Sequence, residues 1–401
     1  MKRRLISAIG VAGMMISLAA CGGDNGDGGG KAGADGYAGE TLTVWVMDGS
    51  SPDQWQKDVA AAFEKKTKAK VKFQIQQWNG IQQKLTTALS EENPPDVFEI
   101  GNTQTPAYAK TGGLADLADL KNEIGAEWTA SLNESSIFEG KQYAAPWYFA
   151  NRVVLYNKKV WADAGLKDTP KTRDEFYAAL KTIGEGVQLV KEQDGKYVSN
   201  LDDPKVAAAM ETYKKFQALS KAPKDKDEAT PQQGEVFGKG NVGAFIGMGW
   251  EAGIATKANP KIEKEIGYFT IPGATADKPE GVFLGGSNLA VAAGSKKQEL
   301  AKEFLKIALS DQYEGQLAKL NGVIPNKESL QSNLKGNVVA EAAAPAAAGG
   351  GTTPLIPEWA AVENAPNPVK TYMTAVLNGK SPAAAAKQVE DEFNKRLAQQ
   401  Q

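Results

Sequence analysis

Glu99 and Glu251 are the residues whose chemistry first invites a reaction. Each stands near large aromatics, and a carboxylate pair supplies the acid and the base or nucleophile of glycoside hydrolysis. That is the only hydrolytic chemistry this composition easily supports. The chain has no His, so Ser-His-Asp and Cys-His nucleophiles, His metal ligation and a His pH switch are all out of reach. Its single Cys permits neither an intrachain disulfide nor a thiolate zinc cluster. Gly379-Lys380-Ser381 ends like a phosphate-binding loop, but that motif requires Gly where Thr374 stands. Neither a metal nor a cofactor is expected.

A second group of residues suits binding. Trp78 follows a β-rich run, Trp147-Tyr148 precede one, and Trp250 follows another through Gly247-Met248-Gly249. Indoles gathered at the ends of strands match ligands with flat apolar faces, which sugars offer. Asp48, Asn79, Gln82, Glu99, Asn102, Thr103, Asn151, Glu251, Ser287 and Asn288 stand beside them, and such groups take or give hydrogen bonds to hydroxyls. Gly285-Gly286-Ser287 precedes an apolar run, so the backbone there can approach a ligand closely or flex as a hinge. Beyond the first twenty residues the only Arg are Arg152, Arg173 and Arg396. Guanidinium forks are the preferred clamps for carboxylate and phosphate, so an uncharged ligand is favoured.

Alternating strand and helix signals position these residues. Thr41 to Val46, Val71 to Ile75, Asp96 to Ile100, Val153 to Asn157, Val242 to Gly247, Ile266 to Ile271 and Leu289 to Ala292 read as strands. Ser51-Pro52 opens a helix carrying Trp55, Val59 and Phe63, and another runs near Gln82 to Leu89. Thr172-Arg173-Asp174-Glu175 is a capping box ahead of Phe176, Leu180 and Ile183. Asp203-Pro204 opens a helix, and Ser295 to Leu309 forms one closed eventually by Asn321-Gly322. The stretch from Ala340 to Gly351 reads as an Ala/Gly/Pro-rich loop, and Ser381-Pro382 caps a final helix with Val389, Phe393 and Leu397 inward. The order is that of an α/β protein of two lobes.

The first residues form a different unit. Met1-Lys2-Arg3-Arg4 is basic, Leu5 to Ala20 is uncharged and too short to span a bilayer comfortably, and small residues precede Cys21. Leu18-Ala19-Ala20-Cys21 resembles the lipobox of bacterial lipoproteins, which implies a signal peptide over 1–20 and acylation of Cys21. Residues 21–39 then form a Gly-rich tether. Loss of Lys2, Arg3 and Arg4 with the leader takes the formal charge from −2 to −5, which argues against nucleic acid as a partner.

"LTVWVMDGSS", "PPDVFEIGNTQTPAYAKTGGLADL", "GKQYAAPWYFANRVVLYNKKVWADAGL", "GKGNVGAFIGMGWE" and "AVAAGSKKQELAKEFLKIALSD" followed by "NGVIPNKESL" resemble the extracellular sugar-binding proteins of bacterial ABC importers. This is the group related to maltose-binding protein, and the likeness is nearest to actinobacterial lipoproteins for oligosaccharides, including N,N′-diacetylchitobiose. The resemblance implies a periplasmic-binding-protein-like fold with lobes at 40–148 plus 288–324 and at 149–287 plus 325–401. Three crossings are placed near Pro146 to Asn151, Leu284 to Asn288 and Gly322 to Pro325. By similarity Trp78, Asn102, Trp147, Tyr148, Trp250 and Ser287 line the cleft, Gly286 adjoins it, and Trp359 reaches it after "TTPLIP". The implied protein is a monomeric receptor, anchored through Cys21 to the outer face of the cell membrane, that hands its sugar to a permease and catalyses nothing. The alternative is a surface-tethered glycan hydrolase using Glu99 and Glu251. One departure stands out: Gly184-Glu185-Gly186 connects directly where such proteins carry a few dozen more residues. Either the second lobe is trimmed and its cleft more open, or a segment has been lost.

Overall fold

The computed structural model describes residues 34–401 other than 79, 167, 173–174, 177–188, 219–223, 225–230, 274, 348–349, 364–365 and 399–401. Thr41–Met47 (β1) buries Leu42, Val44 and Val46 on one face, the alternation that an extended chain imposes. Asp53–Thr67 (α1) buries Trp55, Val59 and Phe63 at every fourth residue. Its N-cap is Pro52, not Ser51. Lys70–Gln76 (β2), Ile81–Leu89 (α2) and Val97–Gly101 (β3) continue the alternation. β1 pairs parallel with β2 from Thr41↔Lys70 to Met47↔Gln76 and with β3 at Val44↔Val97. The carboxyl ends of all three strands therefore share one edge.

Ala145–Ala150 (β4) belongs to this sheet, and after Asn151-Arg152 the chain enters a second sheet at Val153–Asn157 (β5). Pro204–Gln217 (α3), Gln233–Gly238 (α4), Ala244–Gly247 (β6), Glu251–Ala258 (α5) and Ile266–Phe269 (β7) follow. The chain returns with Gly285–Val291 (β8), Gln298–Ala308 (α6), Asp311–Asn321 (α7) and Ile324–Pro325 (β9). It ends in Val338–Ala347 (α8), Trp359–Glu363 (α9), Pro368–Leu377 (α10) and Pro382–Ala398 (α11). The first sheet has the order β9-β4-β8-β3-β1-β2 and the second β6-β5-β7. These are two α/β lobes joined by three crossings.

The first core packs β1, α1, α6 and α7 around Trp55, Phe63, Phe304 and Leu317, with Phe63 and Phe304 5.8 Å apart edge to face. A second core joins β5, α4, α5 and α8. A third gathers α3 and α9 to α11 around Trp359, Tyr372 and Phe393.

Several expectations are corrected. The stretch read as a loop from Ala340 is mostly the helix α8, with Ala340, Ala343 and Ala346 buried and Asn337 Oδ1 accepting from the Val339 and Ala340 N–H groups. Alanine is the strongest helix former, and Pro345 within the helix does not outweigh that run. The helix expected over Ser295 to Leu309 is α6, but the Asn321-Gly322 stop closes a separate helix, α7, which ends on Gly322 in the left-handed region (φ 66°). β8 begins at Gly285, not Leu289. β4 and β8 thus carry 149–150 and 285–287 into the first sheet, past the divisions read from the sequence. Thr172 and Glu175 make the expected reciprocal capping bonds; Leu180, Ile183 and Gly184-Glu185-Gly186 lie outside the described residues.

Candidate functional site

Register decides which residues meet. β8 runs antiparallel to β3 with Ser287 opposite Gly101, and to β4 with Gly285 opposite Ala150. The start of β8 and the end of β4 therefore lie on the edge that carries the carboxyl ends of β1, β2 and β3. In the second sheet Gly247, ending β6, pairs with Val153, and Phe269, ending β7, pairs with Val154. Those strands thus end where the chain enters from Asn151. Both sheets direct carboxyl ends toward the crossings, the place where α/β folds bind ligands.

On the first edge Asp48 is exposed, Thr103 and Gly286 are half-buried, and Trp78 is 44% exposed. Gln77 Nε2 donates to Asp48 Oδ2 at 3.3 Å. On the second, Trp250 is 61% exposed. Asn79 lies outside the described residues.

Glu99 is wholly buried and serves as a knot. Its Oε2 accepts the Met47 N–H at 2.6 Å, while Oε1 accepts the hydroxyls of Ser50 (2.7 Å), Ser287 (2.5 Å) and Tyr148 (3.1 Å). Burial pushes its carboxyl above the ordinary range, opposed by those four donors. Burial, and then the adjacent Glu99, raise the Tyr148 phenol, so it stays a neutral donor. This network ties β1, β3, β4 and β8 together and directs Glu99 and Ser287 at the protein rather than at solvent. Asn102 is likewise buried. Its N–H donates to the Gly286 carbonyl (2.9 Å) and its Nδ2 to that of Leu284 (2.8 Å), pinning the second crossing. Asn151 Nδ2 holds the first crossing to the Ala343 carbonyl of α8 at 3.1 Å.

Glu251 is also turned inward, with Oε2 accepting from the Met248 N–H (2.7 Å) and Gln233 Nε2 (3.2 Å). A Cβ on Gly247 would come within 2.3 Å of that oxygen, so Glu251 would have to shift to admit a side chain there. Glu99 sits in β3 of the first sheet and Glu251 at the start of α5, beyond the second sheet's β6, and both are engaged by protein donors. The geometry offers neither as a free acid or nucleophile.

Two expected cleft residues are corrected. Trp147 is fully buried beside Trp55, ring centroids 5.4 Å apart, because the alternation of β4 turns it to the core. Trp359 is 4% exposed, donates from Nε1 to Glu363 Oε1 at 2.7 Å and packs on Phe393. Next to it, Glu358 pairs with Lys110, on the short helix Thr105–Lys110 that follows β3, at 2.9 Å. Ser50, Gln77 and this ion pair escaped the sequence reading. Ser50 and Gln77 follow strand ends, which was a usable signal; a contact between residues 248 apart gives none.

Comparison with known proteins agrees with the two-lobed α/β fold. Residues 48–315 match the family described as bacterial extracellular solute-binding protein. The diacetylchitobiose binding protein DasA of Streptomyces coelicolor is 76% identical over 425 aligned positions, covering all of both chains. That is more positions than this chain's 401 residues, so the relative carries residues absent here. The galactooligosaccharide-binding protein of Bacillus subtilis is 24% identical over 73% of each chain. Among solved structures, the sugar-binding protein MalE of Xanthomonas citri superposes with a TM-score of 0.75 at 19% identity, over 89% of this chain and 97% of its own. The chain belongs to the bacterial extracellular solute-binding proteins.

Proposed function

We propose that the protein is the receptor of an ABC sugar importer and captures a short uncharged oligosaccharide, of the N,N′-diacetylchitobiose class, between its lobes. The observation that carries this is the pair of exposed indoles, Trp78 on the first sheet's edge and Trp250 on the second's. An indole from each lobe gives a closed form two apolar faces for one sugar that an open form cannot apply together. That differential affinity shifts the population toward closure. The lobe division at 40–148 plus 288–324 and 149–287 plus 325–401 remains our working assignment, adjusted for the strands that run across it.

Asp48, Gln77, Thr103 and Gly286 would read hydroxyls and amides from the first lobe. Glu99, Asn102, Asn151 and Ser287 would act as positioning residues that hold the crossings in register. The Lys110–Glu358 pair joins the first sheet's helix to the segment before α9 and would count among the contacts made on closure. The relative's printed ligand and the scarcity of Arg support an uncharged sugar. An acylated Cys21, a tether over 21–39 and docking of the closed monomer on a permease complete the proposal. Capture is favoured over hydrolysis because Glu99 and Glu251 are both occupied by protein donors.

Small-angle scattering tests closure directly. Saturating N,N′-diacetylchitobiose should reduce the radius of gyration, and a bound sugar that leaves it unchanged would refute capture by closure.

A further inference from the structure

Among the described residues only three aromatic side chains are exposed: Trp78, Trp250 and Phe283. The first two belong to the two sheet edges; Phe283 stands on the second crossing between them, two residues before the start of β8. Its neighbours Val282 and Leu284 turn into the second core with Phe149 and Ile324, so the crossing alternates and Phe283 faces the other way. Gly285 lies on that same side. A Cβ there would meet Phe283 Cε1 at 3.0 Å and Cδ1 at 3.4 Å, so the ring lies over a residue with no side chain to displace it. Two residues further, Ser287 carries the same side into the Glu99, Ser50 and Tyr148 network, next to the exposed Asp48. The strand fixes the ring's seat as well, since Leu284 donates to the Gly351 carbonyl at 2.8 Å and Gly351 donates to that of Val282 at 3.0 Å. The phenyl ring is thus held against the backbone and left 41% exposed.

We infer that Phe283 is a third aromatic platform of the sugar site, taking the C–H-rich face of a pyranose at the floor between the two indoles. This rests on the oligosaccharide reading above. Because Val282 and Leu284 seat this segment in the second core, the platform is in place before closure, whereas the two indoles come together only on closure.

The test is calorimetric titration of N,N′-diacetylchitobiose into the wild type and into Phe283→Ala, Phe283→Leu, Phe283→Trp, Trp78→Ala and Trp250→Ala, each checked for folding by circular dichroism. Phe283→Ala and Phe283→Leu should each raise Kd about tenfold, the loss of one phenyl face, and Phe283→Trp should bind like the wild type. Gly285→Ala, which retains the ring but pushes it off its seat, should also weaken binding. If either indole variant binds worse while Phe283→Ala matches the wild type, this inference is overturned and the oligosaccharide reading stands. If Phe283→Leu restores full affinity, apolar bulk rather than a ring face is at work, and the inference is again overturned. If all three alanine variants bind like the wild type, the oligosaccharide reading of this site fails.

Discussion

Replacing Trp250 with Ala separates binding from stability more cleanly than any other change in this protein. An indole presents up to about 250 Å², and at 61% exposure roughly 150 Å² of this one is open to a ligand. A pyranose covers one face, roughly 100 Å², worth about 2.5 kcal/mol at 25 cal/mol per Å², a ceiling of roughly seventyfold in Kd. Isothermal titration of N,N′-diacetylchitobiose should therefore show Kd raised between about tenfold and seventyfold. Trp250 precedes α5 and supports it through its carbonyl, which accepts the Gly253 N–H at 3.0 Å. That bond survives the substitution, so urea unfolding should shift by less than about 0.5 kcal/mol. A Kd within twofold of the wild type would refute the placement of Trp250 in the site. A large loss of stability would show that its exposure had been misjudged.

Trp147→Ala should do the reverse, since this indole is fully buried against Trp55; urea unfolding should show a loss of about 3–5 kcal/mol. Glu358→Gln removes one charged partner of Lys110, whose side chain is 37% exposed. The contact is worth about 1 kcal/mol, so Kd should rise severalfold and depend less on salt, and an unchanged Kd would exclude a part in closure. Glu314 is buried with one oxygen accepting only the Asn326 N–H at 3.3 Å, while nearby Lys327 and Asp311 pair with each other at 2.6 Å. Burial lifts its carboxyl well above the usual range. The folded state therefore holds a proton that the unfolded state releases near pH 4.5, and stability falls as pH rises from there toward the folded value. Glu314→Gln, which keeps the shape of the neutral acid, should flatten that fall in urea unfolding measured across the pH range, and parallel profiles would refute it.

Much of the scaffold was legible because local signals agreed with the global pattern. Leu42, Val44 and Val46 alternate as a strand with one buried face must, and Trp55, Val59 and Phe63 repeat as a buried helix stripe must. Asp203 caps α3 by accepting the Lys205 N–H, as its sequence announced. What failed has a physical reason in each case. The Ala-rich stretch of α8 carries Gly and Pro nearby, which disguised a helix whose small side chains pack closely. Gly285 and Gly286 hid the start of β8. Gly286 is there because a Cβ would stand 2.3 Å from the Tyr148 carbonyl oxygen, a contact across strands that no local pattern records. Trp147 sits one residue from a half-buried Tyr148 in β4, and which of two neighbouring aromatics faces the core follows from register alone. Glu99 shows the same limit at the site. Its type suggested chemistry, but all four of its donors, on Met47, Ser50, Tyr148 and Ser287, lie at least 49 residues away in the sequence.

Calorimetric titration of the folded chain over residues 40–401 with N,N′-diacetylchitobiose, followed by analysis of the recovered sugar, bears most directly on capture without turnover. A single site with Kd near micromolar or tighter, roughly −8 kcal/mol, and intact disaccharide at the end is the predicted result. A folded protein that yields no binding heat, or one that returns cleaved sugar, would contradict it.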